Sequence, residues 1–239
     1  IMTLNDTHPA ADLVGRRLIN QGSFEINAAS SLTQTKFWLQ DGADIDNQAQ
    51  FVLNNNSLQN LGIECRTPDC ARFDNRASGV VVLNDINGII GIRASLVAFD
   101  NAGTVQLVNG CAAIDPPGVD TGTYDLGSSS GCTLSFFTPP GEERVFEPSV
   151  VLLEPGASQL QVEGRLRVNG TARTFQRLLV QPDAILYGPA AITIAQNALW
   201  RGRVEGTSSE ELIIDPAATV TVGDQPGDAP TLAGRRLNV

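Results

Sequence analysis

The chain has 239 residues and a net charge of −10, with 26 acidic against 16 basic side chains and Lys36 as its single lysine. No basic cluster is available to displace the counterions of a phosphate backbone, which excludes nucleic-acid binding, and no run of eighteen apolar residues is present to enter a bilayer. Glycine (23) and proline (13) punctuate a sequence rich in Asn, Thr, Ser and Val, which points to one all-β domain.

The first segment, Ile1 to Asp6, opens with a strand over Ile1 to Leu4, and Gly15-Arg16-Arg17-Leu18-Ile19-Asn20 follows it. Both recur at the far end, as Thr219–Asp224 and as Gly234-Arg235-Arg236-Leu237-Asn238. A fixed period marks arrays in which each unit covers its open end with the next. Residues 1–239 are therefore expected to be one unit, about one period of a longer array. With no initiator methionine and no signal segment, the chain reads as processed or excised.

A shorter period lies inside the long one. Leu18-Ile19-Asn20-Gln21-Gly22-Ser23-Phe24 returns as Ile45-Asp46-Asn47-Gln48-Ala49-Gln50-Phe51, as Phe73-Asp74-Asn75-Arg76-Ala77-Ser78 leading to Val80, and as Phe99-Asp100-Asn101-Ala102-Gly103-Thr104-Val105. Each copy runs from a turn residue into a β-branched or alternating stretch. A unit of about 27 residues cannot bury its own apolar side, but it suits one coil of a parallel β-solenoid of roughly eight coils. Stacked coils place equivalent residues directly above one another, so Asn20, Asn47, Asn75 and Asn101 are expected to form an amide ladder. Phe24, Phe51, Phe73 and Phe99 are expected inside.

Four cysteines form two local pairs. Cys65 and Cys70 bracket a Pro-containing loop, and Cys111 and Cys132 flank a Gly/Pro/Ser-rich stretch. Their spacing and the lone His8 fit no zinc site, so two disulfides are expected, which implies an oxidising, extracellular setting. Segments 54–72 and 111–131 are accordingly read as loops that leave the coil. The second half repeats a small-residue turn opening a strand, at Gly131–Phe136, Pro155–Val162 and Pro216–Val222. A β-sandwich pilus-like subunit joined by strand donation is the alternative; it would need strands every 8–12 residues and hairpin turns.

These motifs, Gly-Arg-x-Leu-x-Asn at the start, Phe99-Asp100-Asn101-Ala102-Gly103-Thr104-Val105, and runs such as Gly164-Arg165-Leu166-Arg167-Val168, resemble the β-strand repeats of bacterial surface and secreted proteins of the filamentous-haemagglutinin type. The resemblance implies a right-handed parallel β-helix, secretion to the cell surface, and a filament, stalk or adhesin role. The cysteine pairs stand outside that pattern.

Chemistry is weighed against repetition. Asp46, Asp74 and Asp100 would stand in a row on one face, within the spacing of a glycosidase pair, so a carbohydrate-active β-helix, either a polysaccharide-degrading enzyme or a tailspike-like protein, is the second reading. A row of acids is also what repetition produces without catalysis, and no base accompanies it. Asp41, Asp44 and Asp46 with Asn47 match no calcium-loop spacing. The expectation is a non-catalytic module with no cofactor and no metal. Its partners are identical copies stacked head to tail, with surface glycans as a further partner if it is adhesive.

Overall fold

The computed structural model describes residues 2–4, 10–29, 35–56, 60–67, 72–93, 96–127, 133–154 and 157–239, without the side chains of 87–88 and 207–209. Among the described residues twenty-five strands join in one sheet, and every pairing between them is parallel. Parallel neighbours require crossovers, so the all-β solenoid holds and the hairpin-built β-sandwich does not.

The chain visits three faces in fixed order. Face one carries Ala10–Val14, Thr35–Gln40 and Leu61–Cys65 in its first coils; face two carries Arg17–Asn20, Asp44–Asn47 and Arg72–Asn75; face three carries Ser23–Ala28 and Gln50–Asn55. Met2–Leu4 lies on face three against Ile26–Ala28. Several strands bend round a corner. Val80–Ile92 pairs with Gln50–Asn55 on face three and then with Leu61–Ile63 on face one. Face one has ten stacked segments, ending at Thr219–Val222.

Alternation produces the core. In Thr35–Gln40, Thr35, Phe37 and Leu39 are buried while Lys36, Trp38 and Gln40 point out, as period-2 patterning requires. Inner residues stack on their register partners. Leu18, Ile45, Phe73 and Phe99 form one row of face two, and Phe24 and Phe51 begin a row of face three. The four phenylalanines do line the interior, but in two rows that meet across it, with centroids 5.2, 5.1 and 5.2 Å apart. Each such contact adds about 0.5–1.5 kcal/mol to area burial.

Coil length departs from a constant 27. The first rungs are 27, 28 and 26 residues apart, but Val119 reaches Asp100 after only 19, and Leu186 pairs with Val204 after 18. The result is ten coils rather than eight. The described part of 111–131, residues 111–127, is therefore no excursion: Thr104–Ile114, Gly118–Asp120 and Thr123–Asp125 make a full, short coil. Its prolines and glycines, Pro116-Pro117-Gly118 and Gly122, sit at tight corners and disguise the strands. Likewise Leu61–Cys65 within 54–72 is a core strand of face one.

The terminal copies of Gly-Arg-Arg-Leu share a local shape but not a place. Gly15 and Gly234 both adopt left-handed φ, 54° and 64°. Arg17–Asn20, however, pairs on face two, whereas Arg235–Asn238 pairs with Glu210–Ile213 on face three. Cys70 and Cys132 lie outside the described residues, so neither expected bridge is seen. Cys65 is partnered rather than free. Cys111 is a free, half-buried thiol that stands on Ile89.

Candidate functional site

The asparagine ladder is the best-formed polar feature of the interior. Asn20, Asn47, Asn75 and Asn101 are register partners at the corner between faces two and three, and all are buried. Each Nδ2 donates to the next Oδ1, at 2.7, 2.8 and 2.7 Å. The second proton of each amide reaches a strand carbonyl, Gln50, Val80, Thr104 or Thr123. Small residues beside the ladder make this approach possible. A Cβ on Gly79 would lie 2.3 Å from Asn75 Oδ1, and one on Gly103 would lie 2.2 Å from the Gly79 carbonyl.

A second ladder runs on the outer side of face three. Asn54 donates to Asn27, Asn84 to Asn54 and Asn109 to Asn84, at 2.8, 3.0 and 2.9 Å. Sequence reading missed it, although each member lies in the strand that follows one copy of the turn motif. Their spacing of 27, 30 and 25 was the available signal.

Asp46, Asp74 and Asp100 do stack in one outer row of face two. They are not a pair of free carboxylates. Arg17 binds Asp46 at 2.5 Å, Arg76 bridges Asp46 at 2.7 Å and Asp74 at 3.1 Å, and Arg72 links Asp74 to Asp100. Six charges thus alternate along one continuous chain, and the hydrogen bond from Arg76 holds the Asp46 carboxyl below the usual range. Such an arrangement ties coils together and offers neither a proton donor nor a nucleophile. The Asp41 N–H donates to Thr67 Oγ1, while Asp44 Oδ1 accepts from the Arg72 N–H. Among the described residues no three His, Cys, Asp or Glu converge as metal ligands.

The ladder ends in a charged cluster that the sequence did not announce. Asn101 pairs with Asp120 instead of another asparagine. Arg144 is fully buried within the apolar row of face two, between Gly118 and Leu166. It donates to Asp120 Oδ1 at 2.6 Å, to Tyr124 Oη at 3.0 Å, and to the carbonyls of Pro116 and Phe99, both at 3.0 Å. Tyr124 in turn donates to Asp120 at 2.8 Å. Burial works to lower the Arg144 pKa, but Asp120 and Tyr124 outweigh it and raise it. Burial raises Asp120 against the pull of Arg144.

The tryptophans divide. Trp200 is buried, its Nε1 donating to the Gly202 carbonyl at 2.8 Å. Trp38 points outward, with Lys36 Nζ 4.9 Å and Arg66 Cζ 5.5 Å from its ring centre. Comparison with protein-family models, with curated proteins and with solved structures finds no match for this chain.

Proposed function

We propose that this chain is a non-catalytic structural module of an extracellular filament, stalk or adhesin, a right-handed β-solenoid whose coils continue, head to tail, into identical units. The observation that carries the reading is the pair of open ends. Met2, Ala11, Leu13, Leu18 and Phe24 at one end, and Ile214, Ala218, Val220 and Leu232 at the other, are core-row residues only partly covered. Both ends present three parallel strand edges in the same face order, and such edges recruit further strands. Stacking is heterologous and therefore open-ended. The amide ladders and the Arg–Asp chain support a stiff rod, since each rung ties neighbouring coils. A Cys65–Cys70 bridge would close the corner between faces one and two and fits an oxidising compartment.

Sedimentation velocity across a concentration series tests the reading. The native chain should associate, and Leu13→Lys or Leu232→Lys, each placing a charge on one open end, should leave a monomer. Native material that stays monomeric throughout would count against head-to-tail stacking.

A glycan-binding role in the adhesin reading rests on Phe137. The residue is 44% exposed on face one, in the outer row between Asp115 and Glu163, beside a groove of about 320 Å³. An exposed aromatic flanked by carboxylates suits a sugar ring. Phe137→Ala should abolish retention on a glycan array if that role is real, and unchanged retention would exclude this surface.

A further inference from the structure

Identical rungs cannot tell one coil from another. The ladder of Asn20, Asn47, Asn75 and Asn101 would keep its hydrogen bonds if a later coil stacked one step too early, since each asparagine offers the same donor and acceptor. The apolar rows are equally forgiving. The weak point is the coil of Cys111 to Asp125, whose corners hold Pro116-Pro117-Gly118 and Gly122. Were it expelled as a loop, Arg144–Phe146 would stack directly on Ala98–Asn101.

Three features oppose that slip, and all meet at one side chain. Arg144 has Gly118 as its register neighbour, and there is room for little else: a Cβ at Gly118 would lie 2.0 Å from the Phe99 carbonyl. Through that gap the guanidinium reaches the Phe99 carbonyl, 45 residues earlier and two coils away. Its charge is met by Asp120, which is fully buried. Its Cζ lies 5.2 Å from the ring centres of both Phe99 and Phe136. In the slipped stack Arg144 would face the Phe99 side chain where Gly118 now stands, and Asn101 where Asp120 now stands, leaving a buried cation without space or counter-charge. The cluster is not optimised for bonding, because Asp120 Oδ2 and Arg144 Nε have no hydrogen-bond partner.

We propose that Asp120, Arg144 and Tyr124 form a registration lock, a buried ion pair set among asparagine and apolar rungs, which keeps the short coil in place and fixes which coil lies on which. The lock concerns how this chain folds to one structure and is independent of whether units assemble into filaments. Buried polar groups that set register at some cost in stability are known in helical assemblies; here the same logic applies to a solenoid.

The test uses disulfide trapping on the outer side of face two. Val119 and Val145 are register partners, and Asp100 lies one coil further back. In the native background, Val119→Cys with Val145→Cys should cross-link fully and Asp100→Cys with Val145→Cys not at all. Combining either pair with Asp120→Asn and Arg144→Leu removes the charge and continues the neighbouring rows with their own residue types. The lock predicts a native circular dichroism spectrum together with an Asp100→Cys/Val145→Cys cross-link in at least about a tenth of the molecules. No such cross-link in a folded variant would overturn it. Failure of the double variant to fold would overturn it too, since the cluster would then be a stability element and not a register element.

Discussion

Asn47→Ala offers the sharpest probe of the inner ladder. Asn47 is fully buried; it accepts from Asn20 at 2.7 Å and donates to Asn75 at 2.8 Å and to the Val80 carbonyl at 3.4 Å. Alanine removes all three bonds. Asn20 keeps its bond to the Gln50 carbonyl, but Asn75 Oδ1 and the Val80 carbonyl each lose a donor where water does not reach. At about 1 kcal/mol for each lost bond, with an added penalty for the stranded Asn75 oxygen, the loss should be about 3 kcal/mol. Asn109→Ala makes the control, because it deletes one bond of 2.9 Å to Asn84 in the exposed outer ladder; it should cost less than about 1 kcal/mol. Urea unfolding followed by circular dichroism gives both values, provided the slope is unchanged. If the two variants lose stability to within about 0.5 kcal/mol of each other, burial of the ladder is not what gives it weight.

Other consequences follow from single sites. Non-reducing peptide mapping should find Cys65 bridged to Cys70 and Cys111 alkylated as a free thiol; a Cys111–Cys132 bridge would contradict the free state of Cys111. Glu154 is buried, with Oε2 accepting from the Gln176 N–H at 2.5 Å and Oε1 unpartnered, and burial pushes its pKa up to about 7. The folded chain then holds a proton that the unfolded chain releases. Its contribution is fully present below about pH 4.5 and is lost as pH rises through 7. Glu154→Gln should therefore gain on the native chain between pH 5 and pH 8, and parallel pH profiles would refute the burial argument. Gly103→Ala should destabilise clearly by calorimetry, because the added Cβ collides with the Gly79 carbonyl; an unchanged Tm would show that the corner yields.

The inner ladder was legible because its asparagines precede a turn at nearly constant spacing, and repetition in sequence becomes stacking in space. The short coils were not, since the second half replaces the asparagine rung by Asp120, Phe146 and Val168, and proline-glycine corners look like loops. Arg144 carries no local signal at all. Its burial follows from Gly118 and Asp120, 26 and 24 residues away, and only the register brings the three together. The aspartate row was placed correctly, but its chemistry was decided by arginines, of which Arg76 lies two residues from Asp74 and 30 from Asp46. The terminal repeat shows the opposite limit: like sequences adopt like local shape, while the number of residues in between decides the face.

Helical reconstruction of assembled material, by electron cryo-microscopy, tests the central claim most directly. Ten coils at ~4.8 Å predict an axial repeat of about 48 Å per copy, with parallel strands crossing the junction between copies without interruption. A two-fold dimer closing on itself, or a repeat that leaves the junction unpaired, would contradict head-to-tail continuation of the solenoid.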